Sequence, residues 1–418
     1  MNTISLICFI IFFLCIVSFY KKETDIFSPG RLFILVWSFA LGLTNLKLSR
    51  HQIEWSFFSW LMLFVTLFSF LTGVFIVYVI NSGKQLKTIK SIRSIAFNSS
   101  LDNRLLFNYI IVLFIGYIIS YIISYLVIGY VPVFTRFPGL YRGNWGIFGF
   151  GLLIQAFPSL ILMIILYYFI VKGHKGKKFL LANLFLIVFT TYALLLQRYY
   201  IIFAIIVCAA ILYYGSKFFR LRNVFIILSI MFSVIYSMSY IRLSTTILHY
   251  LYYLSDMKYS LKYAMFTEPY MYIVMNLENF ANAVDKLQHF TYGLFTFDFV
   301  FALSGIKHPI AEYLNLSKFP DLISSSFNTF TMFFIYYRDF GIIGLGIIPL
   351  ILGILFSSAY YKMRITPNIN TISIYSIFVF VILFSFFVPI ISFLHFAFNF
   401  LIIYLVTKTI VNNKTISF

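Results

Sequence analysis

Residues 328–344 read NTFTMFFIYYRDFGIIG and set an Arg338-Asp339 pair at the mouth of an otherwise apolar helix. An ionised side chain inside a spanning helix costs about 3 kcal/mol on insertion scales. Such residues therefore sit at an interface, in a water-filled cavity or at a functional site. Two readings are open here. In one, the pair anchors a helix end, with Asp339 as a favourable anion at the N-terminus of the span that follows. In the other, it is functional. Asp339-Phe340-Gly341 also spells the kinase metal motif, but no Gly-rich loop or catalytic-loop motif accompanies it, and that reading is discarded.

Away from this pair the chain is overwhelmingly apolar. Of 418 residues, 62% are hydrophobic and 10% charged, against roughly 45 to 50% and 25% in soluble domains, so no water-soluble surface can be built from them. Apolar runs of about one bilayer thickness alternate with charged patches, the pattern of spanning helices. Ten-residue alternating units, the mark of an outer-membrane barrel, are absent. The expected fold is all-α and polytopic, with about eleven transmembrane helices near 4–20, 32–46, 55–80, 106–127, 150–171, 179–196, 199–214, 224–240, 340–360, 372–389 and 391–406. Run 179–214 has 36 residues, about 54 Å as one helix against a core of about 30 Å, so it must be two spans with Gln197-Arg198 at the turn. The first twenty residues lack a basic n-region and a small-residue cleavage site, which reads as a retained span. Cys8, Cys15 and Cys208 are dispersed in apolar runs and suggest neither a disulfide framework nor a thiolate metal site.

Basic residues give the orientation. One set of alternate segments carries 19 of the 31 Lys and Arg but only three of the twelve acidic residues, Glu23, Asp25 and Asp102. By the positive-inside rule these segments face the cytoplasm, with the N-terminus outside and the C-terminus inside. The net charge of +19 follows from that topology and from anionic headgroups, so nucleic acid is not invoked as a partner. The expected organisation is an N-terminal bundle of about eight spans (1–240), a large external loop (241–339) and a C-terminal bundle of about three spans (340–418). The loop holds eight of the twelve acidic residues. Within it Tyr270, Ile273, Val274, Leu277, Phe280, Ala281, Val284 and Leu287 recur at helical spacing, which suggests an amphipathic helix on or near the membrane.

Four arginines fall on the outer face: Arg142 in a loop, Arg198 at the tight turn, Arg242 beyond the eighth span and Arg338 at the start of the ninth. Each alone is an anchor by default. Lysine serves an anchor equally well, yet all four are arginine, whereas the cytoplasmic segments favour lysine by 13 to 6. A guanidinium fork grips phosphate oxygens in bidentate fashion, so the set points to an external pyrophosphate site. Outer-face Arg50, Arg136 and several lysines weaken the contrast. No Walker A sequence, Gly-rich dinucleotide turn, Asp-x-Asp pair or histidine ligand spacing is present, so neither a nucleotide cofactor nor a metal is expected. An external enzyme of this kind needs a pre-activated substrate delivered in the membrane.

Phe27-Ser28-Pro29-Gly30-Arg31 precede a Trp-containing second span, Gln197-Arg198 and Arg242 follow and, above all, Asn328-Thr329 is followed by Tyr337-Arg338-Asp339-Phe340-Gly341 and Gly344. In this layout the chain resembles the oligosaccharide repeat unit polymerases, the Wzy-type O-antigen and capsule polymerases. The resemblance implies an enzyme of the cytoplasmic membrane that transfers a growing glycan from polyprenyl pyrophosphate to the non-reducing end of a new lipid-linked unit. It also implies work beside a flippase and a chain-length regulator. Arg198, Arg242 and Arg338 would then meet the charge of the leaving pyrophosphate, with Arg142 as a fourth. Asp339 would orient Arg338 or act as base, and Glu268, Glu278 and His308 are the other base candidates. Asn328 would contact substrate, and Tyr270 and Tyr272 would stack on sugars, although tyrosine is common at membrane interfaces for its ring alone. A ligase using the same donor is the nearest alternative. A transporter is the third, though no internal repeat is visible.

Overall fold

The computed structural model describes residues 2–19, 24–98, 101–169, 175–216, 245–313 and 320–412, with single positions at 226, 229, 233, 237 and 316. Among them the α-helices in chain order are α1 (Thr3–Ser18), α2 (Pro29–Thr44), α3 (Phe57–Asn81), α4 (Ile89–Asn98), α5 (Asn103–Ile128), α6 (Pro138–Tyr141), α7 (Phe150–Ile154), α8 (Phe157–Phe169) and α9 (Lys175–Ala193). There follow α10 (Arg198–Gly215), α11 (Thr245–Leu254), α12 (Thr267–Lys286), α13 (Asp298–Leu303), α14 (Lys307–Tyr313), α15 (Phe334–Ile365), α16 (Ile369–Leu383) and α17 (Leu394–Asn412). The described residues contain no strand beyond one isolated bridge between Ser49 and Met257.

Six helical stretches among the described residues are long and apolar enough to cross a membrane: Phe57–Asn81, Asn103–Phe134, Phe150–Tyr168, Arg198–Gly215, Phe334–Ile365 and Leu394–Val411. Three more, Thr3–Ser18, Pro29–Thr44 and Ile369–Leu383, are apolar but shorter. A helix also lies at the sixth expected span, where α9 begins among Lys175, Lys177 and Lys178. The eighth expected span, 224–240, falls almost wholly outside the described residues. Run 179–214 does break where its length requires: α9 ends at Ala193, α10 begins at Arg198, and Leu196 takes a left-handed φ of 57° between them.

The chain separates into two compact units that interleave in sequence. One comprises Met1–Gln85, Thr245–Tyr361 and Val381–Ala397, and the other Leu86–Ser244, Lys362–Phe380 and Phe398–Phe418. These units are drawn differently from the three-part division expected at 240/241 and 339/340. The long segment after residue 244 joins the N-terminal helices instead of standing apart as a loop.

Helix α12 explains this. Its apolar residues suggested a helix lying on the membrane, but Asn276, Glu278, Asn279 and Asn282 are buried along with Met271, Val274, Leu277 and Phe280. A helix can bury polar residues only where their polar atoms find partners. Glu278, fully buried, accepts from Lys47 Nζ (2.9 Å) and Gln52 Nε2 (3.0 Å) on one oxygen. Its other oxygen accepts from Ile53 N (3.2 Å) and Trp55 Nε1 (2.9 Å). Burial pushes this carboxyl above the usual carboxylate range, against the opposing pull of Lys47 and the other donors. The connection between α2 and α3 is thus wrapped around one carboxylate of α12.

Helix α15 carries the motif's two glycines. Gly341 lies outside the helical region (φ 59°, ψ −143°), so the helix kinks one turn after Arg338. A Cβ at Gly341 would collide with the Phe290 ring, and one at Gly344 with the Tyr336 carbonyl oxygen. Only glycine fits both the backbone angle and the close return. Further along, a Cβ at Gly353 would strike the Phe70 carbonyl and one at Gly73 the Leu350 carbonyl, so α3 and α15 cross backbone against backbone.

In the second unit, Asn399 bridges the break between α7 and α8. Its Nδ2 donates to the Gln155 carbonyl at 2.9 Å, and its Oδ1 accepts from Ser159 N at 3.2 Å and from Ser159 Oγ at 2.6 Å. One amide thereby serves a carbonyl at the end of one helix and an N–H at the start of the next, groups left over wherever a helix terminates. The Phe157 and Tyr192 rings stack at 4.1 Å beside this joint.

Candidate functional site

The polar face of α12 positions the first part of the motif. Asn276, Asn279 and Asn282 recur every three residues and so project from one side of the helix. Asn279 Nδ2 donates to the carbonyls of Phe327 (2.7 Å) and Thr329 (2.9 Å), while its Oδ1 accepts from Ile323 N (3.2 Å). Asn282 Nδ2 donates to the Asp321 carbonyl at 2.6 Å, and Thr329 Oγ1 donates to Asn276 Oδ1. Segment 321–329 has no regular structure of its own, and this ladder supplies the partners its backbone lacks. Beyond it, Met332 N donates to the Ser385 carbonyl at 2.8 Å, and Trp37 Nε1 to Ser385 Oγ at 2.9 Å.

The second part of the motif is held by a loop. The kink at Gly341 removes the helical partners of the carbonyls just before it. Thr291 N donates to the Arg338 carbonyl (3.0 Å) and Tyr292 N to the Asp339 carbonyl (3.1 Å). The Asp339 carboxylate, fully buried, then accepts from Thr291 Oγ1, from Phe295 N at 3.3 Å and from Thr296 N at 2.5 Å. Donors to a charged acceptor are stronger than neutral ones, so Asp339 is the fastening of loop 291–296. One consequence lies on its neighbour: the Phe295 ring covers the Arg338 guanidinium, with Cζ 3.6 Å from the ring centroid. A buried cation over an aromatic face gains about 2 kcal/mol. Tyr337 OH, donating to the Val284 carbonyl at 3.1 Å, ties the same turn to the end of α12.

Arg338 and Asn328 line one cavity of about 210 Å³. Phe295, Phe330, Phe334, Val388, Pro389 and Phe393 make its walls largely apolar, with Thr329 and Ser392 between them. Two further charged groups line it: Lys307, at the start of α14, and Asp298, at the start of α13, paired at 2.5 Å. The described lining thus offers a guanidinium, an ammonium and one carboxylate in apolar surroundings. A low-dielectric enclosure of this kind strengthens the attraction of a cation for an incoming anion. It is suited to a ligand with both an apolar part and an anionic group.

Placement of the expected residues is uneven. Arg338, Asn328 and Thr329 line the cavity, and Asp339 stands behind it with its carboxylate taken up by loop 291–296. Tyr270 is not part of the lining: it is buried, its OH donates to Gln52 Oε1 at 2.7 Å and accepts from Leu48 N at 3.1 Å, and it belongs to the packing of α12. Glu278 is committed to its four donors. Glu268 is buried in the first turn of α12. Arg142 and Arg198 belong to the second unit, where Val133 N donates to the Leu194 carbonyl at 3.2 Å and joins the loop of one to the turn of the other. Arg242 and the His308 side chain lie outside the described residues. Among the described residues no group of three or more His, Cys, Asp or Glu is arranged to hold a metal ion. Sequence reasoning missed Phe295, Asp298 and Lys307. One aromatic, acidic or basic residue in segment 241–339 looks like any other until loop 291–296 is seen to fold back on Asp339.

No protein-family model, curated protein or solved structure matches this chain.

Proposed function

We propose that the protein is a membrane glycosyltransferase that polymerises lipid-linked oligosaccharide repeat units for a surface polysaccharide. In this reading the growing glycan passes from polyprenyl pyrophosphate to the non-reducing end of a new lipid-linked unit at the outer face of the cytoplasmic membrane. The chain would cross that membrane about eleven times, N-terminus out and C-terminus in, and work with a flippase and a chain-length regulator. The observation that carries the reading is the buried Arg338 guanidinium lining an apolar cavity beside Asn328, fixed from behind by Asp339 and from the side by Phe295. A diphosphate on a lipid has the two properties the cavity accommodates, a compact anion and an apolar tail.

The chemistry is charge stabilisation. As the bond to the anomeric carbon breaks, negative charge grows on the departing pyrophosphate, and a cation already fixed in place meets it without reorganising. A guanidinium presents parallel N–H donors to phosphate oxygens and stays protonated at any physiological pH. Nothing in the proposed step requires a nucleotide.

The deciding experiment is the length distribution of glycans on the carrier and on the cell surface in a strain lacking the protein. Single repeats with long chains absent support the polymerase. Long chains accumulating on the carrier support the ligase, and unchanged glycans with altered solute uptake support a transporter.

A further inference from the structure

A glycosyl transfer needs a group that takes the acceptor's proton; of the three buried carboxylates singled out by the sequence, Glu268 is not part of the cavity lining, and Glu278 and Asp339 are otherwise engaged. Glu278 is held by four donors and Asp339 by three, both fully buried. Asp298 differs. It is the carboxylate lining the Arg338 cavity among the described residues, and its side chain keeps 15% exposure. It follows Thr296 by two positions, and Thr296 N is fixed on Asp339 at 2.5 Å. The interaction that lays Phe295 on Arg338 therefore also holds the backbone leading to Asp298. Lys307 and Arg338 are the other charged groups facing the cavity among the described residues, Lys307 at 2.5 Å from the carboxylate.

We propose that Asp298 is the catalytic residue that accepts the proton of the acceptor sugar hydroxyl, with Lys307 as the positioning residue that holds its carboxylate at the cavity wall. This rests on the glycosyl-transfer reading above. In the step, the acceptor O–H bond breaks, its proton passes to an Asp298 carboxylate oxygen, and the oxygen's electron pair forms the new bond to the anomeric carbon. The bond from that carbon to the pyrophosphate oxygen breaks, and its electron pair leaves on the pyrophosphate, where Arg338 meets the charge. Asp298 then gives the proton to water.

The test uses membranes that contain the full-length protein together with the strain's own lipid-linked repeat units. Chain extension is followed from about pH 4 to pH 8, and inorganic pyrophosphate serves as competitor for the donor site. Removing a general base costs typically about 10²-fold to 10⁴-fold in rate. Asp298→Asn should lose turnover on that scale, and the fall in rate at acid pH should vanish from what is left, while half-inhibition by pyrophosphate of the residual rate is unchanged. Asp298→Glu should recover part of the rate. Lys307→Gln should lower turnover, and Lys307→Arg, which keeps a cation for the same carboxylate, should recover part of it, a rescue that loss of packing alone would not produce. Asp298→Asn membranes that extend chains at the normal rate with the normal limb would overturn the assignment alone, as would loss of pyrophosphate inhibition in step with turnover. If wild-type membranes extend no chains, the assignment falls together with the reading beneath it.

Discussion

Arg338 Cζ lies 3.6 Å from the centre of the Phe295 ring, and the Phe295 backbone N–H donates to the carboxylate of the next residue, Asp339, at 3.3 Å. Neighbours in sequence thus act on one loop residue from two sides, one through its ring and one through its backbone. Asp339 does not need to touch Arg338 to orient it. In the proposed reading Arg338 meets ligand and Asp339 holds the loop.

Arg338→Lys keeps the charge but replaces a planar fork with a point charge and weakens the stacking on Phe295. Losing a charge-stabilising donor costs about 3 kcal/mol in the barrier, or roughly a hundredfold in rate. The lysine variant should lose about tenfold to a hundredfold in chain extension, and Phe295→Leu, which strips the cover and keeps the cation, only several-fold. Extension rates normalised to protein abundance in the membrane check both.

Asp339→Ala is expected to act through structure. It leaves Phe295 N and Thr296 N without their acceptor, and a lost hydrogen bond to a charged group costs about 1.5 to 3 kcal/mol. Loop 291–296 should become more open to protease and to hydrogen exchange, with a lower melting temperature in detergent. Asp339→Asn, which keeps one acceptor oxygen, should fall between. Unaltered loop protection in the alanine variant would contradict the fastening role.

Gly73→Ala and Gly353→Ala each place a methyl group on a facing carbonyl oxygen where α3 crosses α15. Overpacking of this sort costs typically about 1 to 3 kcal/mol. Gly346→Ala is the control, because a Cβ there meets nothing within 4 Å, and alanine favours the helix by about 1 kcal/mol. Melting curves in detergent should show the first two variants destabilised and the third unchanged or improved.

Glu278 gives stability a pH dependence of definite sign. Burial raises its folded-state value above the ordinary carboxylate value of 4.5, so between those two values the folded state holds a proton that the unfolded state has released. Its contribution to stability is fully present below the unfolded value and is lost as pH rises through the folded one. Relative to wild type, Glu278→Gln should therefore gain in melting temperature as pH increases across that window. A constant difference between the two proteins would show that the carboxyl is not raised.

Much of this was legible in the sequence, and what was not has physical reasons. The turn at Gln197-Arg198 followed from length alone, because a mainly apolar run of 36 residues cannot be one span. The singling-out of residues 328–344 rested on charge in an apolar setting. The burial of α12 did not follow, because hydropathy treats Glu278 and the three asparagines as surface residues and cannot see that Lys47, Gln52, Trp55 and the 321–329 carbonyls will satisfy them. For the same reason Tyr270 was taken for a sugar platform when its hydroxyl is spent on Gln52 and Leu48. The Asp298–Lys307 pair is a contact between two short helices, and no local pattern announces it.

In the proposed reading this chain by itself joins lipid-linked repeat units. The most direct measurement reconstitutes the purified full-length protein in liposomes that carry polyprenyl-diphosphate-linked repeat units, without nucleotide, and resolves the products by length. A ladder of two, three and more repeats, with free polyprenyl diphosphate released in equal number to the new linkages and abolished by Arg338→Ala, is the result expected. Repeat units that stay single in liposomes where the protein is folded and correctly inserted would contradict it.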